Sequence, residues 1–224
     1  MANQRTSRWR RVSLWLHVIT SVGWMGQALA MASLLVLALT TGDSAVRAAA
    51  TGMAEHVDHT LLAPLANASA FTGFMLASAT PWGFFRHWWV LAKFAITVVQ
   101  LHLGIFVLSA ALGTAATTAA PTVPLAVGTA LMASAIAYQA WLSVAKPWSR
   151  TPWTSAAARQ RAASQPGAPR WLLATALAVP ADIGLGLVVG FPAPLAEVVV
   201  LAARLVARQR EQRAVTPGAE ARAR

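Results

Sequence analysis

Long apolar runs, separated by short polar or basic segments, recur along the whole chain. The first four runs lie at about residues 12–39, 60–80, 88–112 and 123–145. Runs of about 18 or more apolar residues are typical of helices that cross a membrane. The pattern therefore predicts an all-α fold, a polytopic transmembrane helical bundle with a four-helix core over residues 12–145.

A further apolar stretch, residues 171–206, predicts one or two additional C-terminal spans. It is interrupted by the sequence FPAP at residues 191–194, where the chain can turn into a hairpin. The part after this turn is short for a span, ~18 Å of helix against a ~30 Å hydrocarbon core. The basic tail favours a return to the starting side, so we favour six spans over five.

Three basic segments frame these spans. Residues 1–11 form a basic N-terminus, residues 146–170 a basic loop and residues 207–224 a basic tail that we expect to be disordered. A basic segment before an apolar run is also the pattern of a signal peptide, and Ala-Leu-Ala at residues 28–30 resembles a cleavage site. Because the apolar run continues to residue 39, we favour an uncleaved first span.

Composition narrows the classes of function. Of 224 residues, 57% are hydrophobic and 11% are charged, against ~25% charged in ordinary soluble domains. The chain has no Cys, which excludes disulfides, thiolate metal sites and cysteine nucleophiles. The net charge of +11 lies between and outside the apolar runs. We therefore expect the lipid bilayer and its anionic headgroups as partner, with a second copy or another membrane protein as a further candidate, and no nucleic acid.

Positive charge predicts the orientation of the chain. The N-terminus and the segments 81–87 and 146–170 are basic, whereas the segments 40–59 and 113–121 are not. The alternation places the N-terminus in the cytoplasm. Aromatic residues cluster at the same boundaries, as in the belts that anchor spans at headgroup level. The predicted cytoplasmic anchor comprises Trp82, Arg86, His87, Trp88, Trp89, Lys93, Lys146 and Trp148. Lys93, five residues into the third span, is expected to extend back to the headgroups.

Three sequences, LHVITSVGWMG, TPWGFFRHWWVLAKFAITVV and LSVAKPWSRTPW, carry a family resemblance. Together they resemble a family of bacterial integral membrane proteins with four core helices and a domain of unknown function. The resemblance covers residues 16–153 and implies a multi-pass protein of the bacterial cytoplasmic membrane. It implies no activity. His17 and the sequence GWMG at residues 23–26 are also loosely similar to membrane proteins of the copper-resistance type.

Two histidines inside apolar runs, His17 and His102, are candidate ligands for haem b or copper. At about 1.5 Å per residue, His17 lies ~8 Å and His102 ~21 Å from the cytoplasmic boundary, so one iron does not suit both. Met31 is closer in depth to His102, and the two could form a His/Met site. The alternative is that each His hydrogen-bonds a neighbouring helix, and no cofactor is predicted on that interpretation.

Other polar residues also lie within the apolar runs. Each of the four core spans carries one amide side chain, namely Gln27, Asn67, Gln100 and Gln139. These amides form a polar path or a structural network, and we favour the network. Asp182, just after Pro180, is a candidate for proton or ion handling, because a carboxylate at membrane depth is costly. Glu55, His56, Asp58 and His59 form an outward-facing cluster, in which Glu55 and His59 are four residues apart on one helix face. We expect this cluster on a solvated surface rather than at a metal.

These features favour a non-enzymatic membrane protein, a helical bundle with a structural, accessory or transport-related role. A haem- or copper-binding redox protein that uses the intramembrane His is the alternative.

Overall fold

The structure is a computed structural model that describes residues 2–80, 82–152, 154, 169–190 and 194–215. Within these ranges every regular element is a helix, and the predicted all-α class is confirmed. The helices are α1 (Ala2–Thr40), α2 (Ser44–Val57), α3 (Ala63–Ala79), α4 (Trp88–Leu103), α5 (Ser109–Thr118), α6 (Val123–Ala145), α7 (Pro169–Val189) and α8 (Leu195–Val215).

Two π-helical turns join neighbouring helices into continuous rods. Asp58–Leu62 joins α2 to α3, and Gly104–Leu108 joins α4 to α5. Four helical segments are long and apolar enough to cross a membrane, and they are Arg10–Thr40, Ser44–Ser78, Trp88–Thr118 and Val123–Ala145. The four-helix core predicted from the apolar runs corresponds to these segments.

The second and third rods are longer than the sequence pattern predicts. The second begins at Ser44, because the Asp43 side chain accepts hydrogen bonds from the backbone N–H groups of Ala45 and Val46. The third continues to Thr118 and ends where Ala119 takes a left-handed conformation. Most of segments 40–59 and 113–121, which separate the apolar runs, is therefore helix. These segments are polar, but they contain few residues that break helices.

Helix α1 lies at the centre and packs against α2, α3 and α6. A buried cluster at one end of the bundle, which we call the far core, joins α1, α2, α5 and α6. Its buried members are Met31, Leu35, Ala54, Leu112, Ala115, Leu125 and Ala126. The far core lies beyond the two π turns, away from the N-terminus of α1.

The opposite end of the bundle is closed by two turns, which we call the corner. Segment 82–87 lies beside segment 146–152, and His87 and Arg150 form an isolated antiparallel bridge. The Thr151 N–H donates to the Arg86 carbonyl at 3.1 Å, and its hydroxyl donates to the Phe85 carbonyl at 2.6 Å. The two Trp-containing basic turns identified in the sequence thus lie together.

Helices α7 and α8 form an antiparallel hairpin that packs on α3. Ala178 and Val179 contact the α3 cluster of Ala68, Phe71 and Met75. The Arg204 guanidinium lies 5.5 Å from the Trp171 ring centre, which brings the middle of α8 beside the start of α7. The second C-terminal helix favoured by the sequence is present.

Both ends of the chain differ from the prediction. The basic residues 2–11 form the first turns of α1 rather than a separate segment. The tail predicted to be disordered from residue 207 is helical to Val215, because ARQREQRAV consists mainly of good helix formers. Residues 216–224, most of the basic loop (155–168) and part of the FPAP turn (191–193) lie outside the described residues.

Candidate functional site

A cavity of about 220 Å³ lies where the two π turns meet α1, α3 and α6. We call it the central cavity. Its apolar lining includes Trp24, Ala28, Met31, Leu62, Ala66, Leu101, Ile105, Leu108, Leu112, Leu125, Met132 and Pro194. Its polar lining consists of Asp58, His59, Asn67, Gln100, Ser109 and Thr129. An apolar cavity with a few convergent polar groups is the usual form of a small-molecule site.

The two π turns place one polar pair at this cavity. In each turn the backbone hydrogen bonds join residues five apart instead of four. The Ala63 N–H donates to the Asp58 carbonyl, and the Ser109 N–H donates to the Gly104 carbonyl. An added residue rotates a helix face by ~100°, so each turn redirects the side chains that follow it. The Ser109 hydroxyl donates to Asp58 Oδ2 at 2.6 Å. The hydrogen bond thus joins the two rods where both depart from α-helical geometry.

Asp58 does not lie on the solvated outward face that the sequence predicts for it together with Glu55, His56 and His59. The sequence places the cluster around Glu55 and His59 on a solvated face, yet Asp58 is only 4% exposed. His59 is exposed and also lines the central cavity, while Glu55 lies beside Gly113. Helical spacing alone could not separate these residues, because the π turn that buries Asp58 interrupts the helical repeat.

The amides of Gln100 and Gln139 bond to each other beside the central cavity. Gln139 Nε2 donates to Gln100 Oε1 at 2.5 Å, and Gln100 Nε2 donates to the Met132 carbonyl at 3.0 Å. The Thr97 hydroxyl donates to Gln139 Oε1 at 2.9 Å. These bonds connect α4 to α6. Asn67 lines the same cavity, whereas Gln27 is not among its lining residues.

The candidate haem or copper ligands lie in three different environments. His17 Nδ1 contacts the Ser69 carbonyl at 3.0 Å and the Thr72 hydroxyl at 3.2 Å, between α1 and α3. His102 is exposed, with its ring centre 5.0 Å from that of Phe106. Met31 is buried and lines the central cavity.

This arrangement does not provide a pair of axial ligands from His17, His102 and Met31. In the part of the chain that the structure describes, no group of three or more His, Asp or Glu residues could hold a metal. The haem or copper hypothesis remains a prediction that these side chains do not favour.

The anchor residues surround the corner. The Trp82 ring lies edge-on to Trp89, with ring centres 5.4 Å apart. The Lys146 ammonium lies 5.3 Å from the centre of the Trp82 ring. Desolvation lowers the pKa of Arg86, whose guanidinium is nevertheless charged at neutral pH. Trp88 and Trp148 are exposed. Lys93, expected at the headgroups, instead donates to the Ser143 hydroxyl at 2.6 Å and joins α4 to α6.

Asp182 lies within α7, facing the start of α8, and it is not among the residues that line the central cavity. Its Oδ1 accepts a hydrogen bond from the Ala196 N–H at 2.9 Å, and its Oδ2 accepts one from the Glu197 N–H at 2.8 Å. The carboxylate therefore caps the start of α8 from another helix. Glu197 is also buried beside it. The sequence contained a signal for Glu197, an acidic residue in the first turn after Pro194.

Comparisons of the chain with family models, with curated proteins and with solved structures found no match.

Proposed function

We propose that this protein is a membrane-embedded helical bundle that binds a small, mainly apolar molecule in its central cavity. The role is non-enzymatic and transport-related or accessory, in a bacterial cytoplasmic membrane. The observation that carries the proposal is the cavity itself, which is lined in part by two π turns that the Asp58–Ser109 hydrogen bond joins. π-helical turns inside α-helices are frequent at functional sites.

The outer faces of the helices support the membrane setting. Large apolar side chains are strongly exposed on separate elements, including Phe106 (67%), Val144 (84%) and Val188 (86%). A soluble monomer rarely exposes apolar patches of this extent. The basic residues of both turns at the corner lie at one end, together with the start of α1. By the positive-inside rule this end belongs in the cytoplasm.

Four polar groups of the central cavity, those of Asp58, Gln100, Ser109 and Thr129, favour a ligand with a hydrogen-bond donor. Both ends of the Gln100 amide are occupied by Gln139 and Met132, and the Thr129 hydroxyl donates to the Leu125 carbonyl. The Ser109 hydroxyl donates to Asp58. What these side chains offer a ligand is therefore mainly acceptor oxygen. A small alcohol or amine with an apolar body fits this combination.

Fluorescence quenching tests the proposal directly. Trp24 lines the central cavity, so a short bromoalkyl alcohol bound there should quench its emission in a saturable manner. Subtracting the signal of Trp24→Phe isolates this residue from the other nine Trp residues, since the chain has ten. Gly104→Leu should abolish the saturable component, because Gly104 lines the cavity and has open space at its Cβ position.

Gly26→Leu is the matched control. Gly26 is also a helical glycine with open space at its Cβ position, but it does not line the cavity. Its quenching curve should match that of the unaltered protein. Quenching that does not saturate, or that is the same in both Leu variants, would contradict binding in the central cavity.

A further inference from the structure

A second groove lies at the corner, between the turn after α3 and the middle of α8. Its volume is about 360 Å³. One wall consists of Gly83, Phe84, Phe85 and Arg86, and the other of Leu205, Arg208 and Gln209. We call it the basic groove. It shares no lining residue with the central cavity.

The first wall is held in place by its backbone. The Arg86 carbonyl accepts hydrogen bonds from the Thr151 N–H at 3.1 Å and from the Thr154 hydroxyl at 3.3 Å. Gly83 has φ +60°, and a Cβ atom there would lie 3.1 Å from Arg86 Cδ. The turn therefore needs glycine at this position to bring the Arg86 side chain against its backbone.

The second wall is held by the hairpin. Asp182 fixes the start of α8 through two backbone hydrogen bonds, and Val200 and Leu201 pack on the α3 cluster. Arg204, one turn before Arg208, lies over the ring of Trp171. Both walls are thus positioned without a ligand, which reduces the ordering that a ligand would have to impose.

The chemistry of the groove is amphipathic. Two guanidinium-bearing residues, Arg86 and Arg208, line it together with apolar surface from Phe85 and Leu205, both of which are exposed. None of the described residues that line it is acidic. A guanidinium presents paired N–H donors that match phosphate oxygens.

We infer that the basic groove binds an anionic phospholipid, whose phosphate contacts Arg86 and Arg208 and whose acyl chain lies against Phe85 and Leu205. Basic pockets between helices on the cytoplasmic side of membrane proteins bind lipid headgroups of this kind. The inference rests on the proposed membrane setting but not on a ligand in the central cavity. It differs from general attraction to a charged surface, because it requires one phosphate between two elements far apart in sequence.

Native mass spectrometry of the full chain in detergent tests this inference. The protein is titrated with phosphatidylglycerol and with phosphatidylcholine of the same acyl chains. We expect one saturable phosphatidylglycerol site, and about tenfold weaker binding after Arg86→Gln with Arg208→Gln. The matched control is Arg10→Gln with Arg210→Gln, which removes the same charge at two exposed residues that do not line the groove. The control should bind as the unaltered protein does.

Several results would overturn the inference. Equal weakening in the two double variants would indicate only general charge attraction, and equal binding of the two lipids would remove the role of the anionic headgroup. If inorganic phosphate at the same concentration as phosphatidylglycerol displaces the lipid completely, the groove is an anion site without an acyl contact. If the Gln double variant does not fold, Arg86→Lys with Arg208→Lys keeps the charge and should still weaken the site severalfold. The saturable quenching of Trp24 should persist in these variants, which separates failure here from failure of the central-cavity proposal.

Discussion

The hydroxyl of Ser109 donates to the carboxyl group of Asp58 at 2.6 Å, and these two residues are 51 positions apart in the chain. Each belongs to a rod with a π turn, so one hydrogen bond fixes the relative position of the two irregular turns. Because Asp58 is buried, the energetic role of this bond exceeds that of a surface hydrogen bond.

Ser109→Ala should lower the free energy of unfolding by about 1–3 kcal/mol, because it leaves a buried acceptor without its donor. Thermal unfolding in detergent measures the loss. Ser134→Ala is the control, since Ser134 is exposed and its hydroxyl bonds only to its own helix at Ala130. Equal midpoints for the two variants would mean that the bond does not stabilise the bundle. Ser109→Ala should also weaken the saturable quenching of Trp24, whereas Ser134→Ala should not.

Asp182→Ala should detach the start of α8, since it removes both acceptors of the Ala196 and Glu197 N–H groups. We expect a cost of about 1–2 kcal/mol, as for other helix caps, and a smaller cost for Asp182→Asn, which keeps one acceptor oxygen. Unfolding midpoints and membrane accumulation report this directly. If Asp182→Asn accumulates normally but abolishes a proton- or ion-dependent activity, the residue handles ions and capping is not its main role.

Gln100 and Gln139 should show coupling in a double-mutant cycle. We expect Gln100→Leu and Gln139→Leu to interact by about 0.6 kcal/mol, the average for hydrogen bonds inside membrane bundles. The measurement is the unfolding free energy of the two single variants and the double variant. Gln27→Leu paired with Gln139→Leu serves as the comparison and should be additive, because the Gln139 side chain bonds to Gln100 and Thr97 and not to Gln27.

The orientation can be determined with introduced cysteines, because the chain has none of its own. Ser149→Cys lies at the corner and Ser44→Cys at the far end, where α2 begins. A membrane-impermeant maleimide is applied to cells whose outer envelope is permeabilised and whose cytoplasmic membrane is intact. It should label Ser44→Cys and spare Ser149→Cys. Gln209→Cys should be spared as well, because α8 returns to the corner. Labelling of Gln209→Cys with protection of Ser149→Cys would contradict six spans.

His102→Ala should leave the absorption spectrum and metal content of the purified protein unchanged. The His102 side chain is exposed and packs on Phe106, and it does not line the central cavity that contains Met31. A Soret band, or bound copper, that is lost in this variant would favour the redox alternative. His17→Ala is the companion variant, and it should lower stability because it removes the contacts to Ser69 and Thr72.

The sequence was sufficient for the large-scale fold because apolar runs and charged segments are local patterns. It predicted the four long helices and the second C-terminal helix. It did not predict the π turns, because DHTLL and GIFVL contain no residue that marks an extra backbone position. It therefore missed the pairing of Asp58 with Ser109, which depends on two such turns at the same height.

The polar residues could be identified from the sequence, but their partners could not. Each core helix carries an amide, yet only the rotation of α4 and α6 decides that Gln100 meets Gln139. Lys93 was predicted to extend to the headgroups, as cations near helix ends usually do. The sequence could not show that α6 lies close enough for Lys93 to donate to Ser143. Asp182 could be identified because a carboxylate inside an apolar run is costly in free energy. Its partner could not be predicted, because the helix that it caps begins 13 residues later, at Leu195.

The length of the second rod has a consequence for the shape of the protein in a bilayer. Its candidate span has 35 residues, or ~52 Å of helix, whereas the hydrocarbon core is ~30 Å thick. Asp43 and Arg47 lie at the start of this rod. Because both side chains are charged, we expect the start of the rod to project into water, rather than the whole rod to tilt steeply inside the bilayer. With the corner in the cytoplasm, the far core would then stand above the outer leaflet as a small extracytoplasmic head. A ligand in the central cavity would lie beneath this head, in the outer half of the hydrocarbon core.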